Sequence, residues 1–228
     1  MPETTTTTAT ARSAEDRALE TKGTTNSPAV YRLVARVVRE RHPGGGTLVD
    51  VGCGTGNLRP FVRERFDHYV GVDVVRHDGF PDDAEFARVD MDTGRVPRPD
   101  GSAQVVAAVE TIEHVENPRA FVRELARLTA PGGLVIVTTP NQLSLLSKLG
   151  LVLKNQFPFF QEAPGLYPAH LSALLEIDLV RIARECGLVD ARVHYTGSGR
   201  IPGVPWHWPR GFGGRAFSDN VLLEARRP

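Results

Sequence analysis

The sequence predicts an α/β fold built on a parallel sheet, and three observations carry that prediction. Five short, almost wholly apolar runs (TLVDV, HYVGVD, AEFARVD, AQVVAAV and GLVIVTT) recur between Thr47 and Thr139. Amphipathic stretches such as NLRPFVRERF and PRAFVRELARLTA alternate with them. Strands apolar on both faces suit a sheet covered by helices on both sides. The third observation is size: 228 residues, 41% hydrophobic and 24% charged, fit one large domain that can bury a full core.

Each element has a local reason. Residues up to about 25 are threonine-rich without hydrophobic periodicity, and read as a disordered tail (1–25) ahead of a single domain (26–228). Ser27-Pro28 offers an N-cap and a proline for the first helical turn. Val30, Leu33, Val34, Val37 and Val38 then recur at helical spacing until His42-Pro43-Gly44 ends the run. After Pro140 the rhythm breaks, and 141–170 reads as a lid or acceptor insertion. It holds an apolar helix-like piece, LSLLSKLGLVLK, and an aromatic stretch, QFPFFQEAPGLYP. A helix from roughly Leu171 to Cys186 stops at Gly187. Two late strands, VDARVHYT and FSDNVLLEA, flank the loop GSGRIPGVPWHWPRGFGG, whose length suits a functional segment.

Composition excludes several classes. Acidic and basic residues balance at 27 each, so no overall field recommends a nucleic-acid partner. Two cysteines, Cys53 and Cys186, supply neither a disulfide framework nor a four-ligand zinc site. The N-terminus has no apolar signal core, and no window reaches the ~18 apolar residues of a membrane span. The expectation is a soluble cytoplasmic protein with reduced thiols.

The strongest local signal is LVDVGCGTGNL, residues 48–58, in which a strand runs into Gly52, Gly54 and Gly56. Glycines there allow positive φ and close approach of a ligand, with Cys53 contributing its backbone. The spacing G-x-G-x-G differs from the dinucleotide fingerprint, and no Lys-Ser or Lys-Thr follows, as a P-loop needs. Asp50 at the start of the loop suits a cationic or zwitterionic ligand rather than a pyrophosphate. Asp73 ends the second strand, 17 residues beyond Gly56, where a carboxylate can accept ribose hydroxyls. The third run ends at Asp90-Met91-Asp92, offering an acid for an adenine amino group and a side chain to cover the ring.

With DVGCGTG, Asp73, the Asp90-Met91 pair, VVAAVETIEHVENP and LTAPGGLVIVTTPN, the chain resembles the class I S-adenosylmethionine-dependent methyltransferases. That resemblance implies a Rossmann-like, doubly wound, seven-stranded and mostly parallel sheet with an antiparallel last strand. It also implies that Gly52, Gly54 and Gly56 admit the methionine part, Asp73 holds the ribose, and Asp90 and Met91 contact the adenine, with Asp50 and Cys53 counted among the cofactor-binding residues. Gln104 stands where the family usually has aspartate, at a position expected to be structural.

The methyl acceptor is addressed by Glu110-Thr-Ile-Glu113-His114-Val. E-x-x-E-H followed by His170 resembles the ubiquinone-biosynthesis O-methyltransferases and the small-RNA 2′-O-methyltransferases. The resemblance implies a divalent metal (Mg, Mn or Zn) on Glu110, Glu113, His114 and His170, gathering substrate hydroxyls and lowering the pKa of one. The same triplet also occurs in metal-free relatives, where the glutamate is structural and His114 lines the pocket or acts as base. His114 and Glu110 are the catalytic candidates. His42, His68, His77, His194 and His207 lack partner spacing and are expected at the surface. The reading is O-methylation of a small-molecule hydroxyl in biosynthesis. N-methylation, 2′-O-methylation of RNA and a non-catalytic cofactor-binding homologue are the alternatives. Residues 143–160, apolar with Lys148 and Lys154, read first as core packing or a lid over the acceptor, and also allow peripheral membrane contact. Trp206, His207 and Trp208 could stack on an acceptor or meet a second copy. Oligomeric state is left open.

Overall fold

The computed structural model describes residues 13–21, 23–24, 27–161, 169–209 and 211–228. Its frame is one seven-stranded sheet in the order β3-β2-β1-β4-β5-β7-β6. The strands are β1 Thr47–Val51, β2 His68–Asp73, β3 Glu85–Arg88, β4 Ala103–Ala108, β5 Thr129–Pro140, β6 Val189–Tyr195 and β7 Asn220–Arg226. The first five pair in parallel, and β7 runs antiparallel between β5 and β6. Strand order reverses between β2-β1 and β4-β5, and the crevice beyond the strand ends at such a reversal is where sheets of this kind take ligands.

Alternation along the strands divides the core into two layers. On β1, Val49 and Val51 face one cluster with Phe121, Leu125, Leu179 and Ile182, from α4 (Pro118–Leu128) and α6 (Glu176–Glu185). Leu48 faces the other, with Val30, Leu33, Val34, Val37 and Val38 of α2 (Pro28–Arg41). All five α2 residues are buried, as their spacing predicts, and each such side chain contributes about 1.5–3 kcal/mol by leaving water. Pro28 begins α2, although Ser27 caps it by position only, with no side-chain hydrogen bond. Asn117 does cap α4, accepting from Ala120 N at 3.0 Å. Gln104 accepts from Thr47 N at 2.7 Å, so this departure from the family pattern ties β4 to β1.

Three expectations change. Within the supposed tail, Ala14–Thr21 forms a helix, α1, while residues 1–12 lie outside the described residues. The stretch NLRPFVRERF yields only the short α3, Arg59–Val62, and a 3-10 turn. In α6, Glu176 rather than Leu171 starts the helix, because Asp178 accepts from Leu175 N at 3.1 Å and caps it there. The insertion contains α5, Leu145–Lys154, opened by Ser144 accepting from Ser147 N and closed by Asn155 in the left-handed region. Residues 162–168 of it lie outside the described residues.

Candidate active site

A cavity of about 1070 Å³ lies at the C-terminal ends of β1, β2 and β4. Pockets for small organic ligands usually span about 300–1,000 Å³, so there is room here for two modest molecules side by side. Asp50, Gly52, Cys53, Gly54, Asp73, Asp90, Met91, Glu110, Glu113, His114 and His170 all line it. Gly56 does not; it packs against Phe80 and Pro81.

The glycine loop is shaped by its own neighbours as much as by a ligand. Gly52 and Gly54 both have positive φ, at 73° and 52°. A Cβ on Gly52 would collide with the Thr111 side chain, and one on Gly54 with the Gly23 carbonyl. Asp73 fixes the turn, accepting from Gly54 N at 2.8 Å and from Val74 N at 2.7 Å. Burial raises its pKa, and those backbone N–H groups pull it back. Each carboxylate oxygen has two lone pairs, so capacity for two hydroxyls remains. Asp50 is buried and accepts from the Tyr69 hydroxyl at 2.5 Å, while its Oδ1 has no hydrogen-bond partner. Desolvation raises Asp50 to about 7. An orphaned buried carboxylate oxygen in the wall fits a ligand ammonium group, as the amino-acid end of S-adenosylmethionine would supply.

Helix α1 roofs this region through polar contacts, with Arg17 as its buried residue. Arg17 Nη2 lies 2.8 Å from Asp92 Oδ2, and Nη1 lies 3.7 Å from Glu116. Arg88 pairs with Glu15 at 2.8 Å. Below the helix, Thr55 N donates to Gly23 O at 2.9 Å, clamping the segment onto the glycine loop. Asp92 also accepts from Glu116 N at 2.7 Å, so one carboxylate joins roof, adenine-side loop and the segment after β4.

The opposite wall follows β4. Glu110 holds φ of 52°, unusual for a non-glycine residue, and each oxygen of its carboxylate accepts one hydrogen bond. Thr138 donates to Oε1 at 2.9 Å and Asn220 to Oε2 at 2.6 Å. Glu113 is fully buried with no well-formed hydrogen bond to either oxygen. Burial raises both carboxyls, and Glu110 raises Glu113 further. His114 Nδ1 lies 3.0 Å from Ala169 O, and His170 Nδ1 lies 2.7 Å from Phe159 O. A carbonyl accepts only, so each Nδ1 carries the proton and each Nε2 the lone pair, an assignment made from the hydrogen bonds. Burial lowers His114 to about 4 and His170 to about 3, the latter helped by His114 beside it. Both rings are therefore neutral at pH 7.

Ligand atoms of Glu113, His114 and His170 lie within 4.8 Å of one another. A buried carboxyl whose polar neighbours are Thr139 and its own backbone, beside two neutral imidazoles each oriented by a carbonyl, fits a divalent metal. Glu110 is not in this group; Thr138 and Asn220 each donate to one of its oxygens. The four-residue ligand set inferred from sequence is thus a three-residue cluster with Glu110 alongside.

Sequence reasoning missed several lining residues. Arg17 sat in the presumed tail, and Arg200, Asp219 and Asn220 come from the late segments, where no motif marks them. His207 is exposed as expected and His77 half-buried, and both also border the cavity.

Residues 25–191 match the family described as methyltransferase domain. A protein of Mycolicibacterium smegmatis described as a probable S-adenosylmethionine-dependent methyltransferase is 28% identical over 163 residues, covering 68% of this chain and 62% of that one. A ubiquinone biosynthesis O-methyltransferase of Maricaulis maris is 31% identical over 121 residues, covering 50% of this chain and 48% of that one. The chain thus spans about half to three fifths of the length of these curated relatives. Among solved structures, a SAM-dependent methyltransferase from Archaeoglobus fulgidus superposes with a TM-score of 0.62 at 15% identity, covering 86% of this chain and 94% of that one. With the glycine loop, the carboxylates at successive strand ends and the antiparallel last strand, these matches show that the chain belongs to the class I S-adenosylmethionine-dependent methyltransferase family.

Proposed function

We propose that the protein methylates a hydroxyl of a small molecule, aided by a divalent metal held on Glu113, His114 and His170. The observation that carries this reading is the clustering of the buried Glu113 carboxyl with two histidines whose Nδ1–H groups are already engaged. The relative named for ubiquinone O-methylation agrees with it.

In this reading Asp50 meets the cofactor's ammonium, Asp73 its ribose hydroxyls, and Asp90 and Met91 its adenine. Bound there, S-adenosylmethionine supplies a methyl group made electrophilic by the sulfonium, and the metal lowers the pKa of an acceptor hydroxyl. The remaining work is orientation and removal of one proton. Glu110 is the base: burial raises its proton affinity, and Thr138 and Asn220 lock its position at the end of β4. In this reading α1, tied to Asp92, covers the adenine side of the cofactor.

A second reading has a specific observation too. Buried carboxylates at Glu110 and Glu113 suit an amine, and one relative is named for ajmaline N-methylation. There His114 Nε2 takes the proton and no metal is needed. RNA 2′-O-methylation lacks support from charge, since acids and bases balance. Transfer of labelled methyl from S-adenosylmethionine to a panel of vicinal diols and matched amines, with and without magnesium, manganese or zinc, separates the readings. Metal-dependent methylation of diols supports the proposal; metal-free methylation of amines alone contradicts it.

We also propose that residues 143–160 make peripheral contact with lipid. Val152 and Leu153 of α5 are 80% and 77% exposed, between Lys148 and Lys154. No helix among the described residues is long and apolar enough to cross a membrane. Co-sedimentation with anionic vesicles, lost on Val152→Asp with Leu153→Asp, is the expected result; equal sedimentation of both proteins contradicts it.

A further inference from the structure

Beyond the methyl-transfer centre, the cavity extends to a polar end built by the segments around β7, where Ser198, Arg200, His207 and Asp219 stand on its wall. Arg200 is unusually well fixed for a loop arginine. Its Nε donates to Asp219 Oδ2 at 3.1 Å and its backbone N to Oδ1 at 3.1 Å. Its guanidinium carbon stands 4.5 Å from the Phe159 ring centroid, stacked on an aromatic side chain that also lines the cavity. Yet Nη2 is buried with no hydrogen-bond partner. A guanidinium that lines the cavity with its side chain 38% exposed, anchored on one edge by Asp219 and with a further N–H group unsatisfied, is a place for an anionic ligand group.

The position relative to the reacting centre is also set. Phe159, whose ring carries Arg200, is the residue whose carbonyl orients His170. Phe159 thus links Arg200 to the Glu113–His114–His170 cluster, and all of these residues line one cavity. Asp219 already takes part of the guanidinium's charge, and the Glu110 and Glu113 carboxyls face the same space. One singly charged planar group is therefore favoured over a doubly charged phosphate, and a carboxylate matches the fork of the guanidinium.

We propose that the acceptor carries a carboxylate, and that Arg200 binds it as a specificity-determining residue. This rests on the small-molecule hydroxyl reading above.

The test uses the full chain loaded with S-adenosylhomocysteine in the presence of magnesium, titrated calorimetrically with 3,4-dihydroxyphenylacetate and with its neutral amide. The acid is expected to bind about tenfold more tightly or better. Arg200→Gln should abolish that preference without weakening the amide or S-adenosylhomocysteine, and Arg200→Lys should retain part of it. Equal binding of acid and amide, no binding of either, or a preference unchanged in Arg200→Gln would overturn the carboxylate site while leaving the cofactor site standing. If S-adenosylhomocysteine itself fails to bind the folded wild-type protein, the reading on which the proposal rests has failed instead.

Discussion

His170 and Phe159 are joined by a 2.7 Å contact between ring Nδ1 and backbone carbonyl, which leaves Nε2 as the nitrogen that can serve the cluster with Glu113 and His114. That relationship decides what the insertion does. It brings a histidine 57 residues beyond Glu113 (170 − 113) to the end of β4, and it fixes the tautomer that a metal needs. His170→Ala should weaken metal affinity by at least the 10–100-fold typical of losing even an outer partner, while S-adenosylhomocysteine affinity stays near wild type. Metal titrations by calorimetry check this; unchanged metal affinity would remove His170 from the ligand set.

Asp73→Ala tests the ribose assignment. The carboxylate both accepts from Gly54, Val74 and Val75 N–H groups and faces the cavity, so the variant loses charge and loop order together. We expect S-adenosylhomocysteine affinity to fall by about tenfold to a hundredfold, equivalent to one or two charge-assisted hydrogen bonds. Asp73→Asn, which keeps the shape, should lie between the two proteins.

Asp50 gives a pH signature. Its native pKa of about 7 lies above the ordinary carboxylate value of 3.8, so between these pH values the native state holds a proton that the unfolded chain has released. Stability therefore falls as pH rises through that window, by at most on the order of 4 kcal/mol for this group. Asp50→Asn keeps an acceptor for Tyr69 and removes the ionisation. Urea unfolding should show the variant gaining on wild type between pH 4.5 and pH 7.5, with weaker cofactor binding. A constant stability difference across that range would contradict the burial account.

The roof should be sensitive to charge. Arg17 holds α1 to Asp92 and Glu116, and its pair with Asp92 is largely shielded from solvent. Breaking a buried pair by removing one partner is costly, about 3–5 kcal/mol where burial is complete. In Arg17→Ala, amide exchange over 13–24 should accelerate and cofactor dissociation should quicken, while exchange in β1 and β4 is unchanged. Uniformly faster exchange across the sheet would mean that Arg17 supports the whole fold rather than the roof.

Most of the frame was legible because its signals are local and periodic. Val30, Leu33, Val34, Val37 and Val38 announced α2, and five apolar runs announced β1 to β5. The glycine loop and the acids at Asp50, Asp73 and Asp90 were legible because strand ends place them in one crevice. The Glu113–His114–His170 cluster followed from spacing and resemblance, but Glu110's diversion did not, since its partners Thr138 and Asn220 lie 28 and 110 residues away. Helix α1 was hidden for a related reason. Its contacts with the body are ion pairs, and a segment that docks by charge shows no hydrophobic period. Arg200 and Asp219 were likewise invisible, because only β7's return places them beside the insertion.

The central claim is tested most directly by titrating the metal-stripped full chain with S-adenosylhomocysteine, then with manganese, in wild type and in Glu113→Gln. The account predicts cofactor binding in both proteins, and a single metal site in wild type that Glu113→Gln abolishes. Cofactor binding without any metal signal would contradict the metal-assisted reading and return His114 to the role of base.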